Sequence, residues 1–216
     1  MPRKLKRKTV KTKKKPQTWY GKVWWFLWED DSVWSWLVDI VLAFILIKFI
    51  VYPGLGFALQ TTHPIVAVVS GSMEHDGSFE EWWESPAICE GNTKKCSQAD
   101  HYAEYGITKG QFREFAFKNG FNKGDIMILY GKDPEDIIVG DVIVFAGNRP
   151  DPIIHRVVNV DEMKYFTKGD HNPTSFNFES NIDPDLVIGT SKVRVPFLGY
   201  IKIWFVQLVS FVGNIF

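Results

Sequence analysis

Cysteine is nearly missing from these 216 residues. There are two, Cys89 and Cys96, which excludes a disulfide-stapled scaffold or a four-cysteine zinc ribbon. Seven residues apart, the pair can close one short loop as a disulfide. Zinc is the other use of such a pair, but with only His101 nearby the tetrahedral shell stays incomplete, so no metal is expected. Also missing are a glycine-rich phosphate loop after a predicted strand and a helical zinc motif, and no cofactor is expected. Acidic residues are absent from 1–22, where ten Lys or Arg stand. The remainder holds 15 basic against 25 acidic residues, so a formal net charge of zero conceals a cationic tail on an anionic body. Such a tail suits nucleic acid, an acidic partner or an anionic membrane surface. No helix-turn-helix pattern accompanies it, and nucleic acid is not an expected partner.

The residues that follow favour the membrane. Trp24, Trp25, Phe26 and Trp28 form an aromatic cluster of the kind that sits at headgroup depth. Residues 32–52 then make an apolar run of about 20 residues, the length that crosses a ~30 Å hydrocarbon core. Lys48 near its far end can snorkel, whereas Asp39 inside it calls for a partner or a shallow position. The positive-inside rule assigns 1–31 to the cytoplasmic side and everything after the span to the opposite side, with the lipid bilayer as a partner. Residues 198–216 are also largely apolar, with Lys202, Gln207, Ser210 and Asn214 spread through them. They read as a helix in contact with the membrane rather than one crossing it.

Between these segments, 53–197 carries short β-branched runs bounded by Gly, Asp, Pro and Asn, at 65–69, 126–130, 142–145, 153–160, 165–168 and 186–193. Several short strands without intervening helices predict a mainly β domain, a small barrel or sandwich. Residues 74–122 interrupt the pattern with Trp82, Trp83, both cysteines and a helical texture, and read as a helical insertion.

Within the β domain, Ser70-Gly71-Ser72-Met73 presents a serine at a strand end beside a flexible glycine. A serine hydroxyl needs a positioned base to act as a nucleophile. His155 lies inside the apolar strand Ile153-Ile154-His155-Arg156-Val157, where alternation puts its ring on the face of Ile153 and Val157. His63 leaves the span, and His75 and His101 belong to or border the insertion. A third group, a carboxylate, would orient the imidazole, and Asp170 at the turn after the next strand is the candidate, with an Asx turn as its structural alternative. Asp125 and Asp141 read as turn residues ahead of strands.

Taken in order, Ser70-Gly-Ser-Met, Lys123-Gly-Asp-Ile, Gly140-Asp-Val-Ile-Val-Phe, Ile154-His-Arg-Val-Val and Thr167-Lys-Gly-Asp-His-Asn resemble the signal peptidase I family in its archaeal and endoplasmic-reticulum branch. The resemblance covers roughly 66–196, less the insertion, plus the anchor in front. It implies a mainly β serine endopeptidase domain on the outer face of a membrane, cutting signal peptides from exported proteins. It further implies Ser72 as nucleophile, His155 as base where the bacterial branch has lysine, and Ser70 as a hydroxyl beside the Ser72 amide for the oxyanion. The branch usually carries a second aspartate six residues after the Gly-Asp pair, where this chain has Phe176. Asp170 is therefore the expected acid, with Asp183 or Asp185 as substitutes after a loop shift. The alternative to catalysis is a non-catalytic membrane subunit that binds exported chains. Accessory membrane subunits are compatible with either reading and are not identified by the sequence.

Overall fold

The computed structural model describes residues 16–91, 93–147 and 151–213, so most of the basic tail and the last three residues lie outside the described residues. The chain divides into two compact units, Met1–Pro53 and Gly54–Phe216. In the first, α1 (Trp19–Trp28) precedes α2 (Val33–Leu46). Ser32 caps α2 by accepting the Ser35 N–H, and Ser35 Oγ donates back to Phe26 O, tying the two helices together. A π turn, Ile47–Val51, passes α2 into α3 (Tyr52–Ala58). Val33–Ala58 is the one helix among the described residues long and apolar enough to cross a membrane. Its 26 residues span about 39 Å at the α-helical rise. The helix continues past residue 52 with Pro53 inside it, where the π turn just ahead of the proline adjusts the backbone bonds that its missing N–H leaves open.

The second unit is built on one six-stranded antiparallel sheet in the order β1-β4-β8-β5-β6-β7. The strands are β1 (Ile65–Ala67), β4 (Ile126–Tyr130), β5 (Val142–Phe145), β6 (Ile153–Asp161), β7 (Lys164–Lys168) and β8 (Val187–Val195), while β2 (Pro86–Cys89) and β3 (Lys94–Ser97) form a separate hairpin. β5 shows why the sheet holds. All four of its side chains are buried. Val142 and Val144 enter one apolar cluster with Val68, Met73, Phe121 and Met127, and Ile143 and Phe145 enter another with Val157 and Tyr165. Alternation thus serves two cores, one on each face. Bulges beside Leu129, Phe145 and Asn159 curl the sheet. As a result β1 and β6, far apart in strand order, line a common cleft.

The insertion holds α4 (Phe79–Trp83), the β2–β3 hairpin, α5 (Gln98–Glu104) and α6 (Lys109–Glu114). Each helix starts at a reciprocal cap: Ser78 with Glu81, Ser97 with Asp100, Thr108 with Gln111. Trp82, Trp83, Tyr102 and Phe112 gather into an aromatic core that packs on Val158 of the sheet. The Cys89–Cys96 disulfide closes the hairpin, so the Cys89 thiolate is not available beside His101 and Glu104 as a metal ligand. Past β8, α7 (Tyr200–Gly213) exposes Ile201, Trp204 and Phe205. Its first ring lies against Gly124, where an added Cβ would come 2.1 Å from Tyr200 and φ is +89°.

Candidate active site

Two anchors leave Ser70-Gly71-Ser72 as a taut turn between them. On one side Val68 is buried and pairs with the Gly124-Asp125 turn through Val68 N–H to Asp125 O and Gly124 N–H to Val68 O. On the other, Met73 is buried and its carbonyl accepts the Phe121 N–H, while Ser72 O accepts the His171 N–H. β6 supplies the partner. His155, 4% exposed, puts Nε2 at 3.0 Å from Ser72 Oγ. The Ser70 and Ser72 hydroxyls are 3.2 Å apart.

The other ring nitrogen meets an acid that sequence reasoning did not name. His155 Nδ1 lies 2.5 Å from Oε1 of Glu179, whose side chain is fully buried. The approach is close but oblique, and Nδ1 makes no aligned hydrogen bond. At such a distance a buried carboxylate still favours the proton on the ring nitrogen nearest to it. Glu179 ends the 3-10 turn Asn177–Glu179 and is held by two amides, Gly169 N–H to Oε1 and Phe176 N–H to Oε2. Ser72 and His155 open into a cleft of about 440 Å³, walled by Val66 and Ala67 on one side and Ile153 and Ile154 on the other, with Phe176 and Phe178 also on its lining.

No family model matches the chain. Individual proteins do. It is 30% identical over 171 residues to the Signal peptidase complex catalytic subunit SEC11 of Komagataella phaffii, covering 72% of this chain and 74% of that protein. The chain belongs to the SEC11 family. The SEC11 of Scheffersomyces stipitis is 29% identical over 175 residues, covering 76% of this chain and 78% of its own, and that of Metarhizium acridum 26% over 166, covering 72% and 71%.

Set in that family, the expected third residue is displaced. Asp170 does not meet His155. Its Oδ1 accepts Arg156 Nε at 3.0 Å and the Tyr102 hydroxyl at 2.8 Å, and its Oδ2 lies 2.7 Å from Arg156 Nη2 and 3.0 Å from His75 Nε2. The reason is strand alternation: His155 and Arg156 point to opposite faces of β6, so a carboxylate paired with one cannot reach the other. Burial alone would raise the Asp170 pKa, but Arg156 and the His75 contact outweigh it and hold the carboxyl far below its ordinary range. The substitutes are elsewhere too. Asp183 pairs with Lys164 at the surface, and Asp185 is exposed on the turn Pro184–Leu186. Phe176, where the family resemblance puts a second acid, lies in the cleft wall.

Lys168 completes the support of this loop. It is fully buried, donates to Gly169 O and Asn172 O, and burial pushes its pKa down to about 8. Gly169, beside it, sits where the site has no room. An added Cβ would fall 2.8 Å from His155 Nε2, 2.8 Å from Ser72 O and 2.5 Å from Asn172 Nδ2. Gly169→Ala is therefore expected to push Ser72 and the imidazole apart and lower kcat on a signal-peptide substrate by about 100-fold, since misplacement by about 1 Å has that cost. A near wild-type kcat in this variant would contradict this packing.

Proposed function

We propose that this chain is a membrane-bound serine endopeptidase that cuts N-terminal signal peptides from exported proteins, with Ser72 as nucleophile, His155 as general base and Glu179 as the acid that orients it. The 3.0 Å approach of Ser72 Oγ to His155 Nε2 in an open cleft of a SEC11-family chain carries this reading. As Oγ attacks the scissile carbonyl, its proton passes to Nε2, and the imidazolium is steadied by Glu179 at Nδ1. The Ser72 amide and the Ser70 hydroxyl face the oxyanion, each donor being worth about 3 kcal/mol in the transition state. The imidazolium returns the proton to the leaving amine, the C–N bond breaks, and a water activated by His155 releases the acyl group from Ser72.

The substrate lies extended along β1. That strand ends the sheet order, so it can accept a further strand, while the aliphatic cleft walls take small side chains before the cut. By the positive-inside rule the basic residues ahead of the span stay on the cytoplasmic side and the β domain works on the other, in an endoplasmic-reticulum-type membrane. The fungal relatives are named as subunits of a complex, and this chain works with further membrane subunits in the same way.

Acylation of Ser72 by a serine-directed probe tests the assignment. Mass spectrometry of the intact chain is expected to locate one adduct on Ser72, and His155→Ala to slow its formation by about 1,000-fold. A cleanly folded preparation that forms no adduct would favour a binding subunit instead.

A further inference from the structure

The insertion has no part in the chemistry just described, yet its residues converge on Asp170. Asp170 is the middle of a three-residue segment that touches both ends of the site. Before it, the Gly169 N–H donates to Glu179, and after it the His171 N–H donates to Ser72 O. Its side chain grips Arg156, the residue that follows His155. Wherever Asp170 moves, nucleophile, base and acid are all displaced.

Three aromatic side chains fix it. His75 Nε2 and the Tyr102 hydroxyl hold the carboxylate, and Trp82 Nε1 donates to the Asp170 carbonyl at 3.1 Å. The insertion also finishes Arg156. Ala116 O and Phe117 O accept from its guanidinium, which lies 4.7 Å from the Phe112 ring centre. A fully buried ion pair is strong only when its remaining donors and acceptors are met and water is kept out, and the insertion does both.

His75 shows that more than packing is involved. Its side chain is 2% exposed and its ring stacks on Trp82 at 3.6 Å and 5°. Its Nδ1 finds no partner among the described residues. A buried unpaired nitrogen costs stability, and a phenyl ring would keep the stack without it while giving up the contact to Asp170. A fold selected for packing alone would have an apolar ring here; the imidazole is accounted for by its contact with Asp170.

We infer that the insertion is a buttress of the active site, in which His75, Trp82 and Tyr102 act as positioning residues that hold Asp170 and, through it, the spacing of Ser72, His155 and Glu179. The inference rests on the Ser72–His155 reading above.

The test uses the full chain in detergent with a peptide carrying a signal-peptide cleavage site. His75→Phe and Tyr102→Phe each remove one polar contact and keep the ring. Both are expected to lower kcat about 10-fold with KM within about twofold, and to slow probe acylation of Ser72 by the same factor. His75→Phe removes the unmet Nδ1 together with one contact to buried Asp170, two opposing effects, and is expected to melt close to the parent, and His75→Gln, which restores a donor towards Asp170, to recover most of the rate. Parental kcat in both phenylalanine variants would overturn the inference. So would a loss of rate that disappears when activity is expressed per Ser72 able to react with the probe. If His75→Phe does not fold, Tyr102→Phe decides alone. Ser72→Ala serves as the control: if it still cuts, the reading of the site has failed and not the buttress.

Discussion

Ser72→Ala is expected to reduce signal-peptide cleavage by about 10⁴- to 10⁶-fold, below detection in an ordinary precursor-processing assay. His155→Ala should fall within the same range, and the double variant should be no worse than the poorer single one. This non-additivity is the informative part. In the proposed mechanism Ser72 and His155 act on one proton across one 3.0 Å contact, so once either is gone the other has nothing to do. What survives comes from binding and the oxyanion donors, which neither substitution removes. Steady-state kcat for the four proteins, measured beside a melting curve, checks this. A double variant that multiplies the two single losses would mean that the residues serve separate steps, and the pairing would have to be abandoned.

Glu179→Gln has the second largest expected effect, a loss of about 10²- to 10⁴-fold in kcat with little change in KM. The side chain keeps its length, but its amide can turn an N–H towards Nδ1. The imidazole then carries its proton on the wrong nitrogen, and Nε2 can no longer accept from Ser72. Glutamine also has one oxygen where Glu179 uses two, for the Gly169 and Phe176 amides. Some stability is therefore lost as well, about 1–3 kcal/mol for one amide left unmet. Glu179→Asp separates these effects: it keeps both oxygens and the charge but withdraws them by one methylene, so it should hold an intermediate rate. A Glu179→Gln enzyme within a few-fold of the parent would remove Glu179 from the mechanism.

The strands were legible because their signal is local. At 126–130 and 142–145 the β-branched runs coincide with β4 and β5, and the other four differ from the observed strands by a few residues at their ends. The insertion's helix starts were also written in the chain, as Ser78-x-x-Glu81, Ser97-x-x-Asp100 and Thr108-x-x-Gln111, although the hairpin between them was hidden by a helical texture. Ser72 and His155 could be picked out by strand context and by the order of the motifs. The carboxylate beside His155 could not, because Glu179 comes from a short turn, held to the Gly169 amide, that no repeat in the sequence marks. The place of Asp170 is explained by the strand pairing and not by the sequence alone. In the β6–β7 register Arg156 faces Lys168, which brings Asp170, two residues on, close to a buried guanidinium that needs a carboxylate.

The reach of Glu179 also matters for telling active relatives from inactive ones. A carboxylate that arrives from a different turn satisfies the same imidazole, so the acid of such an enzyme is defined by where its oxygen ends up and not by its column in an alignment. A survey that looked only for aspartate where this chain has Phe176 would file it among proteins that have lost their chemistry. Here the buried carboxylate beside His155 stands three residues along from position 176, at Glu179, with one more methylene than aspartate, and position 176 holds an aromatic ring in the cleft wall. Sequences with an aromatic residue at this place are where a displaced carboxylate should be sought.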